Sequence, residues 1–243
     1  MRTVTFAKRT LKEILRDPLN LFFGLGFPAV LILLLTAIQS NIPVNTFPLD
    51  SLVPGMTVFG LSFITLFSAT LIAKDRESAF LTRLYATPMR SYNFILGYTL
   101  PILPVALMQS AFCFLIGIIL GQKITINMLY AIIFNIPISL FFIGLGLLFG
   151  SVLNTKQVGG ICGALLTNLT AWLSGIWFSL ELVGGVFEKI AYALPFVHAV
   201  ELEKAVFLGD FSNILPHLIW ILGYMLAVDV ISVLLFLKQM KNT

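Results

Sequence analysis

Charge is what this sequence has least of. Only 11% of its 243 residues are Asp, Glu, Lys or Arg, against about 25% in soluble domains. Its two cysteines, Cys113 and Cys162, both fall inside apolar runs, which excludes a disulfide framework and a cysteine-built metal site. The two histidines, His198 and His217, are far apart in the chain and support no metal site. No Gly-x-x-x-x-Gly-Lys-Ser/Thr phosphate loop occurs, so the chain is not expected to hydrolyse ATP by itself. The apolar runs carry no Ser–Lys or paired-carboxylate constellation, which argues against an intramembrane enzyme. The net charge of +4 is not a nucleic-acid signal, because the basic residues sit beside apolar runs and form no single patch.

What fills the chain instead is hydrocarbon. Hydrophobic residues make up 58% of it, and the mean hydropathy is +0.99. The fold class expected is an all-α, polytopic membrane protein, a single unit over 1–243 with no room for a soluble domain of ordinary size. Six spans are expected, at about 20–39, 51–73, 94–120, 127–152, 158–180 and 214–237. Each has about the 20 residues needed to cross a hydrocarbon core roughly 30 Å thick.

Residues 2–17 precede these spans as an amphipathic helix. Val4, Ala7, Leu11, Ile14 and Leu15 share one face, Arg2, Arg9, Lys12 and Arg16 lie roughly opposite, and Phe6 points to the polar side. Such a helix lies at the membrane surface with its basic face toward anionic headgroups. The run at 20–39 is too long for a signal-peptide core and is followed by no small-residue cleavage site, so it reads as a retained first span. Six spans put both termini on one side. Twelve Lys and Arg fall on that side and three, Lys123, Lys189 and Lys204, on the other. The positive-inside rule makes the termini and the 74–91 segment cytoplasmic.

That 74–91 segment is a charged island between uncharged stretches of 23 and 32 residues. Asp75 and Glu77 read as first-turn acids of a short helix over about 75–87. Phe80, Leu81 and Leu84 form its apolar strip, and Pro88 stops it at Thr87. This is the pattern of a docking surface as much as of a solvated loop. On the opposite side, 181–213 is too long for a turn and too apolar for a solvated loop. One helical piece is expected through Phe187, Ile190 and Leu194, ended by Pro195, and a second over about 197–208, closed by Gly209. Both are too short to span, so an external re-entrant hairpin is the expectation.

Three stretches then line up with one family. Leu11-Lys-Glu-Ile-Leu-Arg-Asp-Pro18 leads on to Phe27-Pro28. Arg76-Glu-Ser-Ala-Phe-Leu-Thr-Arg-Leu-Tyr-Ala-Thr-Pro88 follows. Leu173-Ser-Gly-Ile-Trp-Phe178 is followed by Leu194-Pro195 and Val200-Glu201 with Lys204. In order and spacing they resemble the membrane subunits of ABC type-2 permeases, the exporter family that includes drug-efflux and polysaccharide-export permeases. Ser179, His198 and Lys204 depart from the usual pattern of the external hairpin.

The resemblance implies a permease subunit of an ATP-driven exporter in the cytoplasmic membrane, moving a drug-like or lipophilic substrate outward. It implies two ATP-binding subunits, which hold the ATP and magnesium, a second permease subunit, identical or paralogous, and no cofactor or catalytic residue in this chain. The 75–87 segment would be the coupling helix, with Arg76, Glu77, Phe80, Leu81, Arg83 and Leu84 as the ATPase contacts. Thr167, Thr170 and Ser174 recur at i, i+3, i+7 on span five, with Gly159-x-x-x-Gly163 below them, as a subunit interface, a pathway lining or ordinary packing. Gly146-x-x-x-Gly150 in span four reads as internal packing. Asp229 is the only carboxylate inside a span. It bonds to a neighbouring span, or contacts a substrate or ion, and in the latter case an ion-gradient-driven carrier is the competing class.

Overall fold

The computed structural model describes residues 2–85 and 91–241. Every regular element among them is helical. Five helices are long and apolar enough to cross a membrane: Pro18–Gln39, Leu49–Glu77, Tyr92–Ile119, Ile126–Val152 and Phe211–Lys238. The expected span over 158–180 is not among them. That stretch forms a helix over residues 155–173, opened by a capping box in which Asn154 and Gln157 satisfy each other's backbone N–H groups. A left-handed turn at Gly175, with φ +72°, follows it. Lys156, Gln157 and Asn168 lower its hydropathy, and its middle, Gly159–Leu166, is wound as a π-helix.

Leu49–Glu77 is the centre of the molecule. Pro48 is extended and starts it, and Asp50 lies in its first turn, where the helix dipole favours an acid. In its most apolar stretch 83% of the residues are buried, against 11% for Phe211–Lys238, which therefore lies at the periphery. Ile126–Val152 packs on the central helix through its glycines. Gly146 lies against Ser68, and at Gly150 a β-carbon would come within 2.7 Å of the Ala69 carbonyl oxygen and 2.8 Å of Ile72. The close approach lets the Thr65 hydroxyl donate to the Phe142 carbonyl at 2.8 Å. Between apolar helices in lipid there is no hydrophobic driving force, so contacts of this kind carry the association. The expectation that Gly146 and Gly150 pack internally is met.

The 155–173 helix runs along the whole central helix. At its start Thr155 bonds to Glu77. Just beyond its end Ile176 packs on Gly55, where a β-carbon would stand 3.1 Å away, and Trp177 meets Phe59 edge-on at 6.0 Å. The segment 180–208 is three short helices, Leu180–Val183, Gly185–Ala193 and Pro195–Leu208. Pro195 opens the third piece and does not merely end the second, since its fixed φ and missing N–H suit a first helical turn. Gly209, with φ +75°, closes it as expected.

The glycine seam yields a direct test. Gly150→Val overpacks the contact, which costs about 1–3 kcal/mol. Each kcal/mol lowers Tm by about 2–4 °C in a chain of this size. Gly223→Val, at a site with nothing within 4 Å, leaves Tm near the wild-type value. Thermal unfolding of the detergent-solubilised variants checks both, and equal Tm values would contradict the packing described.

Candidate functional site

The charged island is organised differently from its expected reading. The helix over about 75–87 does not begin at Asp75. Asp75 and Glu77 close the central helix, a turn at Ser78–Ala79 follows, and a separate short helix occupies Phe80–Tyr85. The two acids thus stand at a helix C-terminus, where the dipole disfavours them, and each is held by a specific partner instead. Residues 86–90, including the expected stop at Thr87–Pro88, lie outside the described residues. Ala79 takes a left-handed φ of +54°, a conformation that costs a non-glycine residue about 1–2 kcal/mol. It aims the short helix away from the axis of the central one.

Asp75 is buried, and its partners come from two other helices. Arg9, on the helix Arg2–Leu15, bonds both carboxylate oxygens, at 2.5 and 2.6 Å. The Tyr98 hydroxyl donates to the same carboxylate at 2.7 Å. Arg9 also pairs with Glu13 on its own helix, and its guanidinium lies 4.1 Å from the centre of the Phe80 ring. Beside it Phe6 is buried against Gly97, with Tyr98, Phe94 and Phe80 at ring distances of 4.9, 5.9 and 6.4 Å. Thr3 donates to Asn93 at 2.7 Å on the same side. The amphipathic helix therefore docks on the span ends through Phe6, Thr10 and Ile14 and leaves Val4, Leu11 and Leu15 exposed. This corrects the two-faced reading, in which Arg9 turned toward headgroups and Phe6 was an exception. Burying Phe6 and satisfying Asp75 require that third face.

The six residues expected at an ATPase contact are not equivalent. Arg76 donates to the Ser151 carbonyl and, at 2.6 Å, to that of Leu153, capping the end of Ile126–Val152. Glu77 accepts from the Thr155 N–H and hydroxyl at 2.9 and 2.6 Å. Both are occupied in tying three helices together. Leu81 is buried in a cluster with Phe6, Phe94 and Phe236. Arg83 is exposed, while Phe80 and Leu84 are half-buried. The outward surface is thus Ser78, Ala79, Arg83 and the edges of Phe80 and Leu84, on a base of charge-assisted hydrogen bonds.

Thr167, Thr170 and Ser174 are buried within the chain itself. Their hydroxyls donate to the carbonyls of Cys162, Leu166 and Ala171 at 3.0, 2.9 and 3.4 Å. Exposed along the 155–173 helix are instead Lys156, Gln157, Gly159, Gly160, Ala164, Leu165, Asn168 and Trp172. Asp229 is half-buried and seated in the notch left by Gly144 on Ile126–Val152, beside Ser232, which donates to the Gly144 carbonyl at 2.9 Å. That arrangement is a contact between neighbouring helices.

The sequence reading missed one pairing altogether. His198 and His217 stand with their Nδ1 atoms 2.9 Å apart, and His198 Nε2 lies 2.9 Å from the Tyr192 carbonyl. A carbonyl only accepts, so Nε2–H of His198 donates to it, and Nδ1–H of a neutral His217 donates to His198. His198 also stacks on Trp220, with rings 4.7 Å apart. The pair fastens Pro195–Leu208 to Phe211–Lys241. Nearby, an open cavity of about 680 Å³ is lined by Trp177, Phe178, Tyr192, Glu201 and Lys204, with Lys204 donating to Glu201 at 3.0 Å.

Breaking the Arg9–Asp75 pair from one side strands a buried carboxylate, which costs about 3–5 kcal/mol in full burial and less here because Arg9 is partly exposed. Arg9→Met therefore lowers Tm strongly, whereas Arg9→Met combined with Asp75→Leu recovers most of the loss. A double-mutant cycle in thermal stability measures the coupling, and strictly additive effects would rule the pair out as a structural clamp.

Comparison with known proteins agrees with this architecture. The profile of the family described as "ABC-2 type transporter" matches residues 1–208. The chain is 27% identical over 182 residues to the "Probable multidrug ABC transporter permease YbhR" of Escherichia coli (strain K12), a match covering 74% of this chain and 49% of that protein. It is 26% identical over 204 residues to the "ABC transporter G family member 20" of Dictyostelium discoideum, covering 80% of this chain and 27% of that one. The chain thus spans about half the length of the bacterial relative it matches.

Proposed function

Because the chain belongs to the ABC-2 type transporter family, we propose that it is the permease subunit of an ATP-driven exporter in the cytoplasmic membrane. ATP and magnesium are held by two separate ATP-binding subunits, and this chain contributes no catalytic residue. Both termini are cytoplasmic, on the side that carries twelve of the fifteen basic residues. The observation that carries the reading, besides the family match, is the short helix Phe80–Tyr85. It presents Arg83 outward and leans on the Arg9–Asp75 clamp through Phe80. It is the coupling helix.

A push on it reaches several helices at once. Phe80 touches Arg9, Arg9 holds Asp75 at the end of the central helix, and Tyr98 joins Tyr92–Ile119 to the same carboxylate. Leu81 reaches Phe236 of the last helix through their shared cluster. Closure of the ATPase subunits therefore tilts the cytoplasmic ends as one body.

Six crossings fit this reading, with 155–173 as the fifth. Its ends meet residues 77 and 55 of the central helix, a separation of about 33 Å at 1.5 Å per residue, comparable to the hydrocarbon thickness. A helix this polar does not face lipid along its whole length. Its exposed Gly160, Ala164 and Asn168 make a small-residue face suited to a second permease subunit, identical or paralogous. The transport path lies along that contact. Its outer mouth is the cavity at Trp177, Tyr192, Glu201 and Lys204, shaped by the 180–208 hairpin. The mixed aromatic and charged lining suits a drug-like or lipophilic amphiphile, and the E. coli relative is named a probable multidrug permease. The seat of Asp229 against Gly144 gives no support to an ion-driven carrier.

Co-purification with the partner ATPase tests the coupling surface. Arg83→Glu with Leu84→Ala is expected to lose most of the bound ATPase and its activity while Tm stays near wild type. Undiminished ATPase in that variant, or none bound to the wild type, would sink the proposal. The subunit contact is tested separately with Cys113 and Cys162, both buried, replaced by alanine. In that background oxidation is expected to cross-link Ala164→Cys into a dimer and to leave Leu226→Cys, on the peripheral helix, monomeric. The reverse pattern would place the interface elsewhere.

A further inference from the structure

Glu203 stands out from the other acids of the outer segment. It is fully buried in the middle of Pro195–Leu208, and no group among the described residues bonds either of its carboxylate oxygens. Its surroundings follow from the register of that helix. Phe196 meets Phe142 at 6.4 Å, and the Asn127 amide donates to the Phe207 carbonyl at 3.1 Å. Pro195–Leu208 therefore runs antiparallel to Ile126–Val152. Glu203 shares a face with Phe196 and Phe207, at the level of Ala131–Asn135. Phe207 stacks on Phe114 at 5.7 Å, and one turn deeper on that helix Ser110 accepts from the Asn135 amide. Asn135 is itself fully buried, and its Oδ1 has no donor among the described residues. A buried acid and a donorless amide oxygen thus occupy one layer between three helices.

Among the described residues no cation bonds Glu203; Lys123, in the loop before Ile126–Val152, lines a separate cavity with Asn127, Phe207 and Leu208. Ile126–Val152 carries no charged residue, and the outer half of Leu49–Glu77 has only Asp50, at its first turn. From Phe211–Lys241 the facing titratable groups are His217, bonded to His198, and Tyr224, bonded to the Ala193 carbonyl. Asp229 lies deeper, on Gly144. Glu188, Lys189 and Tyr192 belong to Gly185–Ala193, Lys204 is paired with Glu201 at the cavity, and Ser91–Ile119 has no charged residue. Leaving a bare carboxylate in such a place is far costlier than keeping its proton.

We propose that Glu203 is a proton-binding site, a neutral carboxylic acid whose O–H is donated to Asn135 Oδ1 and fastens the Pro195–Leu208 helix to the membrane helices. Burial holds the carboxyl well above the usual carboxylate range, in keeping with that geometry. When the helix is displaced toward the outer medium, the carboxyl meets water, its O–H bond breaks, and the proton passes to external solvent, leaving a carboxylate that resists re-entry. The outer segment is thereby held most firmly at low external pH. The inference does not depend on the ATPase partnership or on the substrate.

A carboxyl that binds its proton more tightly in the folded state favours folding most at low pH. That advantage is lost as pH rises from the ordinary carboxylate range through the folded-state value. The test uses the full chain in detergent, comparing wild type with Glu203→Gln, a neutral side chain of nearly the same shape that keeps a donor. Wild type is expected to show a protonated-carboxyl infrared band at neutral pH that is missing in Glu203→Gln. Its Tm is expected to fall by several degrees between mildly acid and alkaline pH, with a flatter profile for Glu203→Gln. Equal pH slopes, an unchanged infrared band in the variant, or a Tm of wild type alone that rises with sodium would each overturn the proposal. The last outcome would show an ionised carboxylate holding a metal cation.

Discussion

Helices in a bilayer gain no hydrophobic free energy from touching one another, and the whole chain is arranged around that constraint. Its solution is a central helix, Leu49–Glu77, approached so closely on one side that glycines are required at the contact. Close approach brings backbone to backbone, and the freed hydrogen-bonding capacity of Thr65 is used across the seam. Phe211–Lys238, with little of its surface covered, attaches through a few polar points, among them Ser232 with the Gly144 carbonyl and His217 with His198. A packed centre and a lightly attached periphery suit a protein in which one body moves against another.

Ionisable groups at the two ends of this bundle are treated in opposite ways. At the end of the central helix Asp75 is buried with a bidentate arginine, a tyrosine hydroxyl and an aromatic cover, and becomes a joint between elements. At the opposite end Glu203 is buried with no hydrogen-bond partner among the described residues. The first arrangement is a joint held by a counter-charge, and the second ties geometry to protonation. Both acids follow the same rule, that charge removed from water must be paired or neutralised.

Positions of most spans were legible because a run of about 20 apolar residues has few other uses. In the 180–208 segment the ends of the last helix were legible, since Pro195 and Gly209 restrict the backbone locally, but two helical pieces were expected where three are formed. Errors arose where a residue's role depends on a partner distant in sequence. Asp75 and Glu77 look like first-turn acids only if the helix starts there, yet the apolar central helix runs straight through the charge cluster. Phe6 looked misplaced on a two-faced wheel because Gly97, which makes room for it, is 91 positions away. The hydroxyl stripe at Thr167, Thr170 and Ser174 was correctly placed on one face, but periodicity does not say whether a face looks into its own chain or another.

The sequence by itself determined that this chain is an all-helical membrane protein of a recognisable family and where most of its spans lie. Those properties follow from local composition, because transfer into lipid is close to a sum over neighbouring residues. Only the tertiary structure decided which polar groups became joints, which stayed outward and which lost their water altogether. Arg9 with Asp75, His198 with His217 and the solitary Glu203 are outcomes of helices meeting. The electrostatics of a buried group depends on whatever the fold brings within a few ångströms of it, and no local pattern specifies that.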